Sequence, residues 1–247
     1  MYDKTQGIVL RETDYKDKDK LLTLLTAEYG KITVKARGVK GTHSKSKAAC
    51  QLLAFSEFTL YEQQGRYTAT ETVTKEIFPE LRTDIELLSL ASYFAQVTEV
   101  VAQENDPAPE ILSLLLNALY ALAKLKKPQL LVKAVFELRM ACISGFLPDL
   151  RGCALCGQEM PDRFNISQGF LQCATCNSED AEGIRMPISK GTLQAMRYIC
   201  SCDGKKLFSF QLGEDSIREL SHISESYLSM RLERGFYTLD FYKSLFF

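Results

Sequence analysis

Four cysteines carry the most specific chemistry in the chain. Cys153-Ala154-Leu155-Cys156 and Cys173-Ala174-Thr175-Cys176 are two C-x2-C pairs separated by sixteen residues. That is the spacing of a four-thiolate zinc site in which each pair grips the ion from one tight turn. Gly157 follows the first pair where a left-handed residue is wanted, and Gly169-Phe170-Leu171 reads as a short strand leading into the second. With four protein ligands the ion keeps no position for water or substrate, so the expected zinc is a structural clasp. The competing readings are two disulfides or four small buried hydrophobes. Against both stand the paired spacing and a start, Met1-Tyr2-Asp3-Lys4, that lacks the cationic and apolar segments of an export signal. Cys50 and Cys142 sit in apolar surroundings and read as core thiols. Cys200-Ser201-Cys202 ends a predicted helix, where a core feature, a stray ligand or no role all remain open.

A second set of residues points to phosphate. No acidic residue lies between Glu28 and Glu57, and that window holds Lys31, Lys35, Arg37, Lys40, Lys45 and Lys47. The net charge is only −1, from 30 basic and 31 acidic residues, so nucleic-acid binding must come from such a local patch. Residues 38–47, with two glycines and spaced lysines, describe a mobile basic loop. On its own this is a solvated loop; Lys35 and Arg37 extend the same positive field onto a strand. Tyr29, Tyr61 and Tyr67 are aromatic residues of the same region that can stack on bases, but half-buried strand positions explain them better and they are not assigned to the site.

The elements that must position these groups change character near residue 81. Before it, Gly7-Ile8-Val9-Leu10, residues 21–26, residues 32–37 and a hairpin of 58–63 with 66–74 around Gln64-Gly65 read as about five strands. In the third, Ile32, Val34 and Ala36 face a core while Thr33, Lys35 and Arg37 line the other side, with Lys31 at the turn. Five short strands in eighty residues fit an OB-fold barrel, whose sheet face and loops bind single-stranded nucleic acid. After residue 81, helices are predicted over 84–103, 109–125, 128–144, 189–201 and 215–234. The second, apolar nearly all round, is expected in the middle of a bundle. In the last, Ile217, Leu220, Ile223, Tyr227, Leu228 and Arg231 form an inward stripe. Residues 177–183 read as an acidic loop, and 236–247 as an aromatic end docked on the helical domain. The expected fold is α+β and multidomain: an OB-fold domain over 1–80, an α-helical domain over 81–152 and 177–247, and a zinc-binding insertion over 153–176.

Several chemistries lack their machinery. There is no G-x-x-x-x-G-K-[ST] phosphate loop, and His43 and His222 sit in no metallohydrolase or deaminase motif. The longest nearly apolar stretch, 111–123, is too short to span a bilayer. A cytoplasmic binding protein with reduced thiols is expected, not an enzyme.

The order of parts resembles the RecO family of bacterial DNA repair proteins over essentially the whole chain. The residues that carry the likeness are Gly7-Ile8-Val9-Leu10, Leu21-Leu22-Thr23-Leu24-Leu25-Thr26, Gly30-Lys31 leading to Ala36-Arg37-Gly38-Val39, and Phe136-Glu137-Leu138-Arg139. Gly145-Phe146-Leu147-Pro148-Asp149-Leu150 before Cys153 completes them. The resemblance implies a nucleoid-associated recombination mediator that binds single- and double-stranded DNA and anneals complementary strands. It further implies partnership with RecR, contact with the acidic, apolar C-terminal tail of the single-stranded DNA-binding protein, and help for RecA in replacing that protein. Family members differ in keeping the zinc cysteines, as suits a structural metal. Lys31, Lys35, Arg37 and the loop lysines occupy the barrel region that the family uses for DNA; no short motif carries over a tail-binding pocket. The rival readings from the residues alone are a zinc-ribbon scaffold or adaptor and an RNA-binding OB protein.

Overall fold

The structure, a computed structural model, describes residues 2–42, 44–176 and 182–246. His43 and most of the expected acidic loop 177–183 lie outside the described residues. The strands of the first eighty residues are β1 (Tyr2–Tyr15), β2 (Asp19–Thr26), β3 (Gly30–Ala36), β4 (Phe55–Gln63) and β5 (Arg66–Glu76). They close into a barrel in the order β1-β2-β3-β5-β4, with β3 and β5 parallel and the other pairs antiparallel. This is the arrangement of an OB-fold.

β1 is 14 residues long, far beyond the Gly7 to Leu10 segment that the hydrophobic pattern marks. Its outer parts bury little, and backbone pairing sustains them instead. Residues Tyr2 to Ile8 run against β4, and Gly7 to Tyr15 run against β2. Inside the barrel, Val9, Leu22, Leu24, Ile32, Val34, Phe58 and Leu60 form the core, with the Cys50 thiol among them. Two turns depend on left-handed backbone. Gln64 and Gly65 both have positive φ, 52° and 74°, as a two-residue hairpin loop of the twist-compatible kind requires. Gly30, at φ +57°, opens β3 where an added Cβ would lie 1.9 Å from the Asp106 carbonyl oxygen.

The helices are α1 (Pro79–Arg82), α2 (Ile85–Val101), α3 (Pro109–Ala123), α4 (Gln129–Ile143), α5 (Lys190–Ser201), α6 (Glu214–Arg231) and α7 (Tyr237–Ser244). The chain divides into two compact units, residues 1–124 with 236–247 and residues 125–235. In the first unit, Asp84 caps α2 by accepting from the Glu86 and Leu87 N–H groups at 2.8 and 3.2 Å. The aromatic end of the chain is helix α7, which packs on α2: Phe236 meets Tyr93 edge-on at 5.6 Å, and the Thr238 hydroxyl donates to Gln96 Oε1 at 2.5 Å. α3 belongs here too. It buries Leu112, Leu114, Leu115, Leu119 and Leu122 but leaves Tyr120 half exposed, so it is sided and not enclosed.

The enclosed helix is α4, in the second unit, with ten of its fifteen residues buried. Its sequence disguises this because two of the ten are Lys133 and Glu137. They neutralise each other at 2.9 Å, and Glu225 of α6 reaches Lys133 at 2.7 Å. α6 presents the expected stripe, Ile217, Leu220, Ile223, Tyr227 and Leu228, with the Arg231 guanidinium 4.8 Å over the Tyr227 ring. The cysteine region is a small sheet of β6 (Asp149–Cys153), β7 (Arg163–Asn165), β8 (Phe170–Gln172) and β9 (Arg185–Pro187), in the order β6-β8-β7-β9. It begins before the first cysteine and ends after the last. Among the described residues, no helix is long and apolar enough to cross a membrane.

Candidate nucleic-acid interface and metal centre

Each cysteine pair leaves the end of a strand. β6 delivers Cys153, and the chain turns back so that the Gly157 N–H donates to the Cys153 carbonyl at 2.9 Å and the Cys153 N–H to the Gln158 carbonyl at 2.8 Å. Gly157 makes that reversal at φ +77°. The second turn follows β8, with the Cys176 N–H on the Cys173 carbonyl at 3.1 Å and the Ala174 N–H on Asp162 Oδ1 at 2.8 Å. The parallel pairing of β6 with β8 brings the two turns together.

As a result the sulfurs of Cys153, Cys156, Cys173 and Cys176 all lie within 4.8 Å of one another. Cys156 and Cys173 are 3.7 Å apart, close to the roughly 3.8 Å that a tetrahedron of thiolates about 2.3 Å from one ion requires. All eight cysteines are free, and the four converge as one group instead of two pairs. Cys153 and Cys173 are buried and Cys156 is exposed. Burial pushes the Cys153 thiol up, but N–H groups of Cys156 and Cys173 outweigh it and bring it to about 6; burial and the neighbouring sulfurs push Cys173 up to about 12. Such a set can hold one metal ion. Its orientation is fixed from behind by Arg197 of α5, whose guanidinium donates to the carbonyls of Leu150 at 2.7 Å, Glu159 at 2.7 Å and Arg151 at 3.1 Å. No sequence motif announces Arg197.

The expected basic residues fall into separate places. Lys35 and Arg37 project beside Thr33 into an open cleft of about 620 Å³ on the barrel, together with Tyr15, Leu21, Tyr61 and the β4–β5 hairpin residues Gln63 to Thr68. The Lys35 ammonium lies 3.2 Å from Asp19 and 5.1 Å over the Tyr15 ring. The Gly38 N–H and then Lys35 hold the Asp19 carboxyl below its ordinary value. Arg37 and Arg66 form no ion pair among the described residues, which leaves their guanidinium groups for a ligand.

Lys40 pairs with Asp14 at 2.9 Å. Lys45 and Lys47 are exposed on successive turns, and buried Val39, Ala49, Cys50 and Leu53 pin that connection to the barrel at both ends. Lys31 goes elsewhere: its ammonium donates to the Glu99 carbonyl near the end of α2 at 2.7 Å, and its N–H to the Gln103 carbonyl at 3.0 Å. It is a junction residue of the first unit, occupied by backbone. Tyr15 and Arg66 were not singled out from the sequence, although the turns after β1 and β4 are where OB-folds take hold of oligonucleotides. Tyr67 both lines the cleft and packs on the barrel core.

Comparison with known proteins agrees with both halves of this architecture. The family model for the Recombination protein O N terminal matches residues 1–78, and that for the Recombination protein O C terminal matches residues 82–240. A DNA repair protein RecO of Acetivibrio thermocellus is 35% identical over 247 residues, covering 99% of this chain and 97% of the relative. Those of Alkaliphilus metalliredigens and Caldicellulosiruptor bescii are 29% and 30% identical, over 98% and 97% of this chain and 99% and 97% of the relatives. With both family models matched in order and relatives aligned end to end, the chain belongs to the RecO family of DNA repair proteins.

Proposed function

We propose that this protein is a non-enzymatic recombination mediator in the bacterial cytoplasm. It binds single- and double-stranded DNA through the barrel, anneals complementary strands, and assists RecA on DNA covered by the single-stranded DNA-binding protein, with RecR as partner. The observation that carries the reading is the cleft, where Lys35, Arg37 and Arg66 stand among Tyr15, Tyr61 and Tyr67. Cations there screen phosphates and release counterions, while the tyrosines offer faces to bases of any identity. Specificity is left to base pairing between the strands, so no covalent step is required. The four-cysteine cluster suits structural zinc, because thiolates favour soft or borderline ions and four of them close the coordination sphere. Contact with the acidic, apolar tail of the single-stranded DNA-binding protein is part of this reading and is supported by the family resemblance alone.

The test is annealing of two complementary DNA strands coated with the single-stranded DNA-binding protein, without nucleotide. Acceleration is expected. If naked strands respond and coated ones do not, the partner contact is wrong; if neither responds, the mediator reading fails. Competition between matched DNA and RNA oligomers separates this reading from an RNA-binding OB protein.

A further inference from the structure

Three half-buried cysteines lie in the second unit outside the metal cluster: Cys142 in the last turn of α4, Cys200 in the last turn of α5, and Cys202 just beyond it. They are no second metal site, since among the described residues the only convergent group of three or more metal-ligating side chains is Cys153, Cys156, Cys173 and Cys176. Two of them form a pair instead. The sulfurs of Cys142 and Cys200 are 3.5 Å apart, roughly 1.5 Å more than a disulfide length of about 2.05 Å.

The surroundings favour reaction. Arg139, one turn before Cys142 on α4, donates to the carbonyls of Ile199 and Cys200, both at 3.0 Å. It thereby fastens the end of α5 and sets a positive charge beside the sulfurs, and a neighbouring cation favours thiolate. The hydrogen shared with Cys200, followed by Arg139, holds the Cys142 thiol below its ordinary value against the effect of burial, while Cys200 is pushed up. The two sulfurs share one hydrogen, so that loss of a proton leaves one as nucleophile and the other as thiol. Cys50 is the contrast: it is wholly buried in the barrel core, with its thiol pushed up to about 11.

We propose that Cys142 and Cys200 are a redox-reactive dithiol that closes to an intramolecular disulfide, with a peroxide as the two-electron oxidant. The Cys142 thiolate attacks one peroxide oxygen, the O–O bond breaks, and Cys142 becomes a sulfenic acid as hydroxide leaves and takes up a proton. The Cys200 sulfur then displaces the sulfenic oxygen, which departs as water with the Cys200 proton. In sum, two thiols and one hydrogen peroxide give one disulfide and two waters; the sulfurs are oxidised and the peroxide is reduced. The bond joins α4 to α5 across the segment that contains the whole β6–β9 sheet. It therefore ties together the two helices between which the metal module is inserted.

The experiment treats the full-length protein, purified with zinc supplied, with hydrogen peroxide and maps its thiols by mass spectrometry of a non-reducing digest. The expected result is a peptide containing Cys142 joined to one containing Cys200, reversed by dithiothreitol and formed while the metal is still bound. Cys202→Ser should keep the crosslink and Cys142→Ser abolish it. The proposal is overturned if Cys142 bonds to Cys202, if both Cys142 and Cys200 stay reduced while the metal-site cysteines oxidise, or if each is oxidised singly. The map of the unaltered protein decides this even if a variant fails to fold.

Discussion

Lys133 places a positive charge where almost no water reaches, with its side chain 2% exposed and that of Glu137 fully buried. Burial alone would push the amine down, but the Glu137 and Glu225 carboxylates outweigh it and hold the amine above its ordinary 10.5. Replacing Lys133 with Met strands a buried carboxylate, so a loss of about 3–5 kcal/mol is expected in denaturant unfolding. Lys133→Met combined with Glu137→Leu should recover much of it. A raised folded value means that this stability is fully present below about pH 10.5 and fades as pH climbs through the folded value. Stability that did not fall as pH rises above about 10.5 would contradict the pairing. A second contrast concerns cations of the barrel. Arg37 and Arg66 face the cleft while the Lys31 ammonium is held by the Glu99 carbonyl. Arg37→Ala and Arg66→Ala should each lower the slope of log affinity for single-stranded DNA against log salt by on the order of 0.7, as one lost phosphate contact would. Lys31→Ala should leave that slope alone and lower stability instead; the opposite pattern would move the DNA surface off the cleft.

At the scale of elements, the β6–β9 sheet consists of three- and five-residue strands around four thiols, and the buried apolar side chains of those strands are few: Leu150, Phe164 and Leu171. Metal binding should therefore supply its folding free energy. Removing the ion with a chelator is expected to abolish amide-exchange protection in β6, β7, β8 and β9 while the barrel strands keep theirs. Since each thiol must lose its proton to bind, metal affinity should also fall as pH is lowered. Arg197→Met, which frees the carbonyls of Leu150 and Glu159, should weaken metal retention by roughly tenfold or more without touching a ligand; unchanged retention would reduce Arg197 to a packing residue. The clustering of the four cysteines was legible because C-x2-C spacing is a local property. Arg197 was not, because it acts on backbone carbonyls distant in sequence, and such contacts leave no pattern. The same limit explains β1, whose exposed ends are sustained by ladders to β2 and β4. It also explains α4, where an ion pair turns two polar letters into core. The alternation of β3 was fully readable: Ile32, Val34 and Ala36 are buried, and Thr33 and Arg37 are exposed.

Over the whole molecule, the change from strand to helix period near residue 81 marks the end of the barrel but not the end of its compact unit. That unit runs on through α3 and takes back the last twelve residues, 236–247. Long-range return of a chain end is invisible to any window of sequence; only the aromatic density of Phe236, Tyr237, Phe241 and Tyr242 hinted that the segment docks somewhere. What it contributes can be sized. Phe236, Leu239 and Tyr242 are 2%, 5% and 3% exposed, and burying a large apolar side chain stabilises by about 1.5–3 kcal/mol before the entropy of ordering the segment is subtracted. Deleting residues 236–247 should consequently strip exchange protection from α2, where Tyr93 loses its edge-on partner and Gln96 its hydroxyl donor. α4 and α6, paired through Lys133 and Glu225, should retain theirs. DNA affinity would weaken in the truncated chain only as far as the first unit unfolds, and cooling or added osmolyte should restore both together. Protection lost instead from α4 and α6 would show that the chain's end supports the second unit.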